Sequence, residues 1–191
     1  MKTGTINRAP WHMERVAKGQ AMSEFLMMAS VAFIVLFVAI QMAALGREGN
    51  ALGQLSYQVS RWATNPGNNG IAGTNSPQCS DVVNLIKGAN VSPYSSASSV
   101  ATGYMGKIAS NGVVCGAPPK GGIGVAMNCV TKGSTTTTSC AAQRPAGTGV
   151  QITLTMDTSS VIFLSTSTTS PNFFGIPFPK TLSTTQMMLT Q

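Results

Sequence analysis

The fold turns on KGQAMSEFLMMASVAFIVLFVAIQMAALGR, residues 18–47. From Phe25 to Gly46, 22 residues, only Ser30 and Gln41 are polar. As a helix this run spans roughly 33 Å, slightly more than a bilayer hydrocarbon core of about 30 Å. Residues 1–19 before it are short and basic, with Lys2, Arg8, Arg15 and Lys18 against Glu14 alone. Positive flanks stay in the cytoplasm, so the N-terminus is expected inside and residues 47–191 outside.

Beyond the run the spacing predicts that the helix continues. Leu45, Leu52 and Val59 recur every seven residues, with Leu55 and Trp62 three residues after the last two. This apolar stripe lies on an otherwise polar stretch. One helix in a small domain has to bury its face, so the stripe is expected to pack on the chain's own domain. A stripe shared with neighbouring subunits is the alternative. Gly46, Gly49 and Gly53 interrupt the helix at about 1 kcal/mol each relative to Ala. Gly49 and Gly53 form a GxxxG suited to close helix approach, or else mark a soft hinge. Asn65-Pro66-Gly67-Asn68-Asn69-Gly70 then ends the helix with turn chemistry.

From Ile71 the composition shifts to Gly, Ser, Thr and Asn with short apolar runs. Ser80-Asp81 is expected to cap a short helix through Val82, Val83, Leu85 and Ile86, stopped by Gly88. Residues 93–110 are ambiguous, a second short helix of small residues being one reading. Val113-Val114-Cys115 reads as a strand and residues 117–122 as a loop. Residues 126–140 read as a hairpin turning near Lys132-Gly133-Ser134. Val150, Ile152, Leu154 and Met156 alternate with Gln151, Thr153 and Thr155, the pattern of a half-buried strand. Residues 161–164 form another short apolar run, and Thr181 to Thr190 gives the last strand. The fold class is therefore α+β: a long N-terminal helix, membrane-spanning and then a stalk, followed by a small, mainly antiparallel β-rich domain with short helices. The expected divisions are residues 1–19, 20–64 and 65–191.

Cys79, Cys115, Cys129 and Cys140 all follow the apolar run. An even count on the exported side favours two disulfides, and without a CxxC a zinc site is not expected. Three connectivities exist. If the hairpin loop centres between Ser134 and Thr135, Cys129 faces Cys140, which makes Cys129–Cys140 the preferred bridge and leaves Cys79–Cys115.

Catalytic chemistry is sparse. The only histidine, His12, lies in the leader, and past Glu24 the carboxylates are Glu48, Asp81 and Asp157. No GxSxG, P-loop or metal spacing occurs, and Gly122-Ile123-Gly124 does not continue into a nucleotide fingerprint. The chain is expected to be no enzyme and to need no cofactor. Its net charge of +7 is spread thinly, with no basic cluster interleaved with aromatics, so nucleic acid is not an expected partner.

Between leader and apolar run stands Gly19-Gln20-Ala21-Met22-Ser23-Glu24-Phe25. A carboxylate at the lipid edge is costly without a partner, and Glu24 is singled out on that ground. Read plainly, it is a first-turn Glu favoured by the helix dipole. Basic leader, Gly, four residues, Glu, Phe and apolar helix together resemble type IV prepilins, most closely the TadE-like minor pilins and pseudopilins of the tight adherence (Tad/Flp) system. The closing VQITLTM, the linker FFGIPFPKTLS and the strand TTQMMLT are similar to the end of many such proteins.

The resemblance implies cleavage by a prepilin peptidase between Gly19 and Gln20. It implies that Glu24, beside Phe25, serves assembly by pairing with a neighbouring subunit's α-ammonium. The partners it implies are the peptidase, other pilin or pseudopilin subunits, the Tad assembly platform and the lipid bilayer. The implied location is the bacterial inner membrane, single-pass, with the C-terminal domain periplasmic or carried into surface pili. Two alternatives remain. One is a secreted binding or adhesion domain released after Gly46, at the small-x-small site Ala44-Leu45-Gly46. The other is an uncleaved membrane-tethered module of that kind.

Overall fold

The computed structural model describes residues 11–64, 77–87, 112–131, 134, 136–140, 147–162, 172–173 and 176–190, with backbone alone for 11–19 and 172–173. The readings at residues 65–70, 88, 93–110 and 132–133, and half of the run at 161–164, lie outside these. The chain divides after Ile40 into two units, residues 1–40 and 41–191.

A single helix, α1 (Trp11–Thr64), carries the whole N-terminal apolar run. In its first unit most of the described apolar side chains are exposed, Phe25 and Met28 at 69% and 74%. Among the described residues α1 is the one helix long and apolar enough to cross a membrane. In the second unit the same helix turns one face inward. Leu45, Leu52, Leu55 and Val59 are buried, and Trp62 packs against the core they join. The seven-residue stripe is thus satisfied by the chain's own domain.

The second unit is α+β. The short helix α2 (Cys79–Lys87) buries Val82, Val83, Leu85 and Ile86. Five strands form the main sheet: β1 (Val113–Cys115), β2 (Ile123–Val130), β3 (Thr137–Ser139), β4 (Gly149–Asp157) and β7 (Thr181–Leu189). Among the described residues the short strands β5 (Asn172–Phe173) and β6 (Ile176–Pro177) pair with each other alone. β4 is central, antiparallel to β2 over eight residue pairs and to β7 over nine. Its alternation works as expected: Val150, Ile152, Leu154 and Met156 are fully buried. Their partners across β2, Ile123, Val125, Met127 and Cys129, share that face. The stripe of α1 and the apolar side of α2 close over it as one core.

Two local readings need correction. First, α2 begins at Cys79, one residue before the expected cap. Asp81 acts from inside the first turn, where its carboxylate accepts from the Gln78 N–H at 2.8 Å, half of a capping box. Second, Cys129 stands opposite Thr138, two residues short of Cys140, so the β2–β3 loop centres one residue earlier than expected. Cys140 reaches Cys129 from just past the end of β3. The residues that follow β4 form a 3-10 turn, Thr158–Ser160, ahead of Val161. The strands β1 and β2 run parallel.

Parallel neighbours ordinarily need a connection of a dozen residues or more, but here residues 116–122 suffice. Glycine makes this possible. Gly116 and Gly121 take left-handed φ of 96° and 68°. A Cβ on Gly124 would stand 2.3 Å from the Gly116 carbonyl oxygen. The Gly122–Gly124 pair therefore serves close backbone approach.

Asp157 secures this corner. Its Oδ1 accepts from the Gly121 N–H at 3.0 Å and the Ser159 N–H at 2.9 Å. Partial burial pushes its carboxyl up, but the Ser159 and Gly121 hydrogen bonds and the Lys180 charge outweigh this and hold it below its ordinary 3.8. A carboxylate with a lowered folded pKa stabilises the fold above its unfolded pKa. That contribution disappears as pH falls through the folded value. Asp157→Ala is expected to cost about 1 kcal/mol at pH 7. In urea melts the gap from the parent chain should hold down to about pH 5 and close below about pH 4.

Candidate functional site

The residues singled out for processing and assembly lie on α1. The Gly19–Gln20 bond is inside the helix, since α1 starts at Trp11 and runs through both residues. A peptidase that needs extended backbone would have to unwind this turn first. Glycine lowers the cost there, being about 1 kcal/mol poorer than Ala in a helix. Gln20 is exposed, and its Nε2 donates to Glu24 Oε1 at 3.3 Å one turn on. The Ser23 hydroxyl donates to the Gln20 carbonyl at 2.8 Å. Glu24 and Phe25 are exposed beside one another. Glu24 thus presents its carboxylate at the head of a bare apolar helix, held by one neutral donor.

Farther along, α1 has two unlike faces. Gly49, Asn50, Gly53, Gln54, Tyr57 and Gln58 line a shallow groove of about 560 Å³. Tyr57 is 50% exposed, and a Cβ on Gly46, Gly49 or Gly53 would meet nothing within 4 Å. The GxxxG face therefore looks away from the chain's own domain. Close packing inside the domain is done instead by small hydroxyl residues one turn apart. Ser56, Ser60 and Thr64 are all buried. Thr64 donates back to the Ser60 carbonyl at 3.0 Å and lies 3.9 Å from Met188 Sδ on β7. Sequence reasoning missed this line; the signal was small residues at i, i+4 and i+8 beside the apolar stripe.

Gln41, the polar break in the apolar run, is buried, and neither amide atom is hydrogen-bonded to another group among the described residues. It is counted with the second unit. The cysteines are joined as Cys79–Cys115 and Cys129–Cys140. The first bridge ties α2 to β1. The second closes the hairpin, whose β3 is only three residues long. Among the described residues no group of His, Cys, Asp and Glu could hold a metal ion.

Comparison with protein-family models, curated proteins and solved structures gives no match for this chain. The chemistry of its own residues has to carry the functional reading.

The two faces of α1 should respond oppositely to added bulk. Gly53→Ala is expected to raise stability by up to about 1 kcal/mol, because it adds helix propensity in open space. Ser60→Leu should lower it by about 1–3 kcal/mol through overpacking. Thermal melts of the detergent-solubilised chain check both.

Proposed function

We propose that this chain is a membrane-anchored minor pilin or pseudopilin of a Tad-type type IV pilus. A prepilin peptidase cuts it after Gly19, and the mature chain, beginning at Gln20, acts in pilus assembly and adherence. The observation that carries this reading is Glu24, set five residues past a glycine at the head of an exposed apolar helix.

A membrane accounts for that helix. Its side chains from Met22 to Met42 are largely bare, a surface that lipid stabilises and water does not. In the proposed arrangement the basic leader is cytoplasmic and the disulfide-bonded unit periplasmic, consistent with where bridges persist. Cleavage creates a new α-ammonium at Gln20. In a bundle of such helices, that cation and a neighbour's Glu24 each lack water, and neutralising one another removes two costs at once. The outward GxxxG face, just past the apolar run, supports the same picture, since small residues let neighbouring helices approach closely where they leave the membrane.

A cut after Gly46 fits the molecule poorly. Helix α1 passes through Gly46 without a break. Such a cut would also remove Gln41 and Leu45, both buried in the second unit.

N-terminal sequencing of the protein from native membranes is expected to start at Gln20; a start at Arg47 would mean a secreted domain, and Met1 an uncleaved anchor. Glu24→Leu is expected to insert normally yet fail to enter pili or to rescue a deletion strain. Normal piliation by that variant removes Glu24 from assembly.

A further inference from the structure

The main sheet has two unlike edges. On one side of β2 the edge is broken into β1 and β3, each three residues long and each beside a disulfide half-cystine. On the other side the sheet ends at β7, whose nine residues pair with β4 without a bulge. Among the described residues nothing pairs with the outer side of β7. Its sequence, TLSTTQMML, contains no charge, proline or glycine. Those are the usual devices that protect an open edge.

The register shows which groups face outward. Thr158 donates to the Lys180 carbonyl and Thr190 to the Thr148 carbonyl, so the even-numbered residues bond inward to β4. By alternation, the backbone N–H and C=O groups of Thr181, Ser183, Thr185, Met187 and Leu189 point away from the sheet. Their side chains lie on the solvent face, where Met187 and Leu189 are 52% and 63% exposed.

We propose that β7 pairs antiparallel with β7 of a second copy of this chain, about a two-fold axis at Thr185, joining two sheets into one. The strand is complementary to itself. The two-fold sets Thr185 opposite Thr185, Ser183 opposite Met187 and Thr181 opposite Leu189. Each large exposed apolar side chain then lies beside a small hydroxyl residue, where it can lean over the neighbour without a clash. No like charges meet, because Lys180 falls beyond the paired span. A head-to-tail contact fits worse, since the opposite edge offers only three-residue strands. A single strand pair is a small interface, so its occupancy rests on copies being concentrated in one bilayer, as in the membrane reading above; the pairing geometry does not depend on that reading.

The test is cross-linking of full-length single-cysteine variants. All four native cysteines are bridged, so Thr185→Cys adds the lone thiol. Across the proposed axis the two Cα atoms lie about 5.5 Å apart, within reach of a disulfide. Thr153→Cys, its neighbour on β4, is the control, because three strand spacings of about 4.8 Å separate the two copies of that position. The chain is reconstituted in phosphatidylcholine vesicles and oxidised mildly.

We expect disulfide-linked dimer from Thr185→Cys and none from Thr153→Cys. Adding Ser183→Pro to Thr185→Cys removes one outward N–H without touching the β4 ladder. It should abolish the dimer while the melting temperature is retained. Equal cross-linking of the two single variants, no dimer from Thr185→Cys, or a dimer that survives Ser183→Pro overturns the proposal. If the chain stays in the supernatant, the membrane reading fails, and the same comparison is scored in that fraction.

Discussion

The second unit depends on the burial of the α1 stripe over the inner face of β4. Leu52, Leu55 and Val59 are essentially inaccessible to water, and so are Val150, Ile152, Leu154 and Met156. A sheet with one apolar face needs a second layer, and here that layer is the downstream part of α1 together with α2. At about 2–5 kcal/mol for truncating any one such side chain, the stripe outweighs the helix cost of Gly46, Gly49 and Gly53. This explains how a glycine-interrupted segment stays helical. The glycines fall on the side that the domain does not use.

Upstream of Gln41 the apolar residues of the same helix fall on all sides, and most of the described ones are exposed, a surface that a lipid environment would suit. Downstream, the apolar positions contract to a stripe and the other faces turn polar. Gln41 stands at the changeover, buried while its amide has no partner among the described residues. Under the pilin reading, the upstream part carries the processing bond and the assembly carboxylate, and the downstream part holds the exported domain. Neither half needs an active site for this. The chemistry is a peptide bond presented to a protease and a carboxylate presented to an ammonium.

Much of this was legible in the sequence where one physical signal dominated. The alternation at residues 150–156 has one low-energy reading, a half-buried strand, and so it gave β4. The seven-residue stripe gave the buried face of α1. The cysteine pairs followed from a hairpin whose loop centre was placed within one residue, though its pairing register was two residues off. What escaped was set by tertiary partners. Nothing local forces β1 parallel to β2; that depends on Gly124 meeting the Gly116 carbonyl across a short loop. The GxxxG was legible as a close-approach signal, but its direction was not, because Ser56, Ser60 and Thr64 offer the sheet an equally small surface. The cap of α2 slipped by a residue because Asp81 can serve either as a cap or from the first turn inside. Gly19, Gln20 and Glu24 were found by motif, and only the structure places the Gly19–Gln20 bond inside a helical turn.

The interaction on which all this rests is measured most directly by native-state hydrogen exchange of the full chain in detergent micelles. If the stripe is the second layer of the core, amides of residues 55–63 in α1 and 150–156 in β4 should open in one cooperative event, with matching opening free energies. Exchange of the α1 amides by a separate, lower-energy opening while β4 stays protected would mean that the helix is only an appendage to the sheet, and would contradict the account.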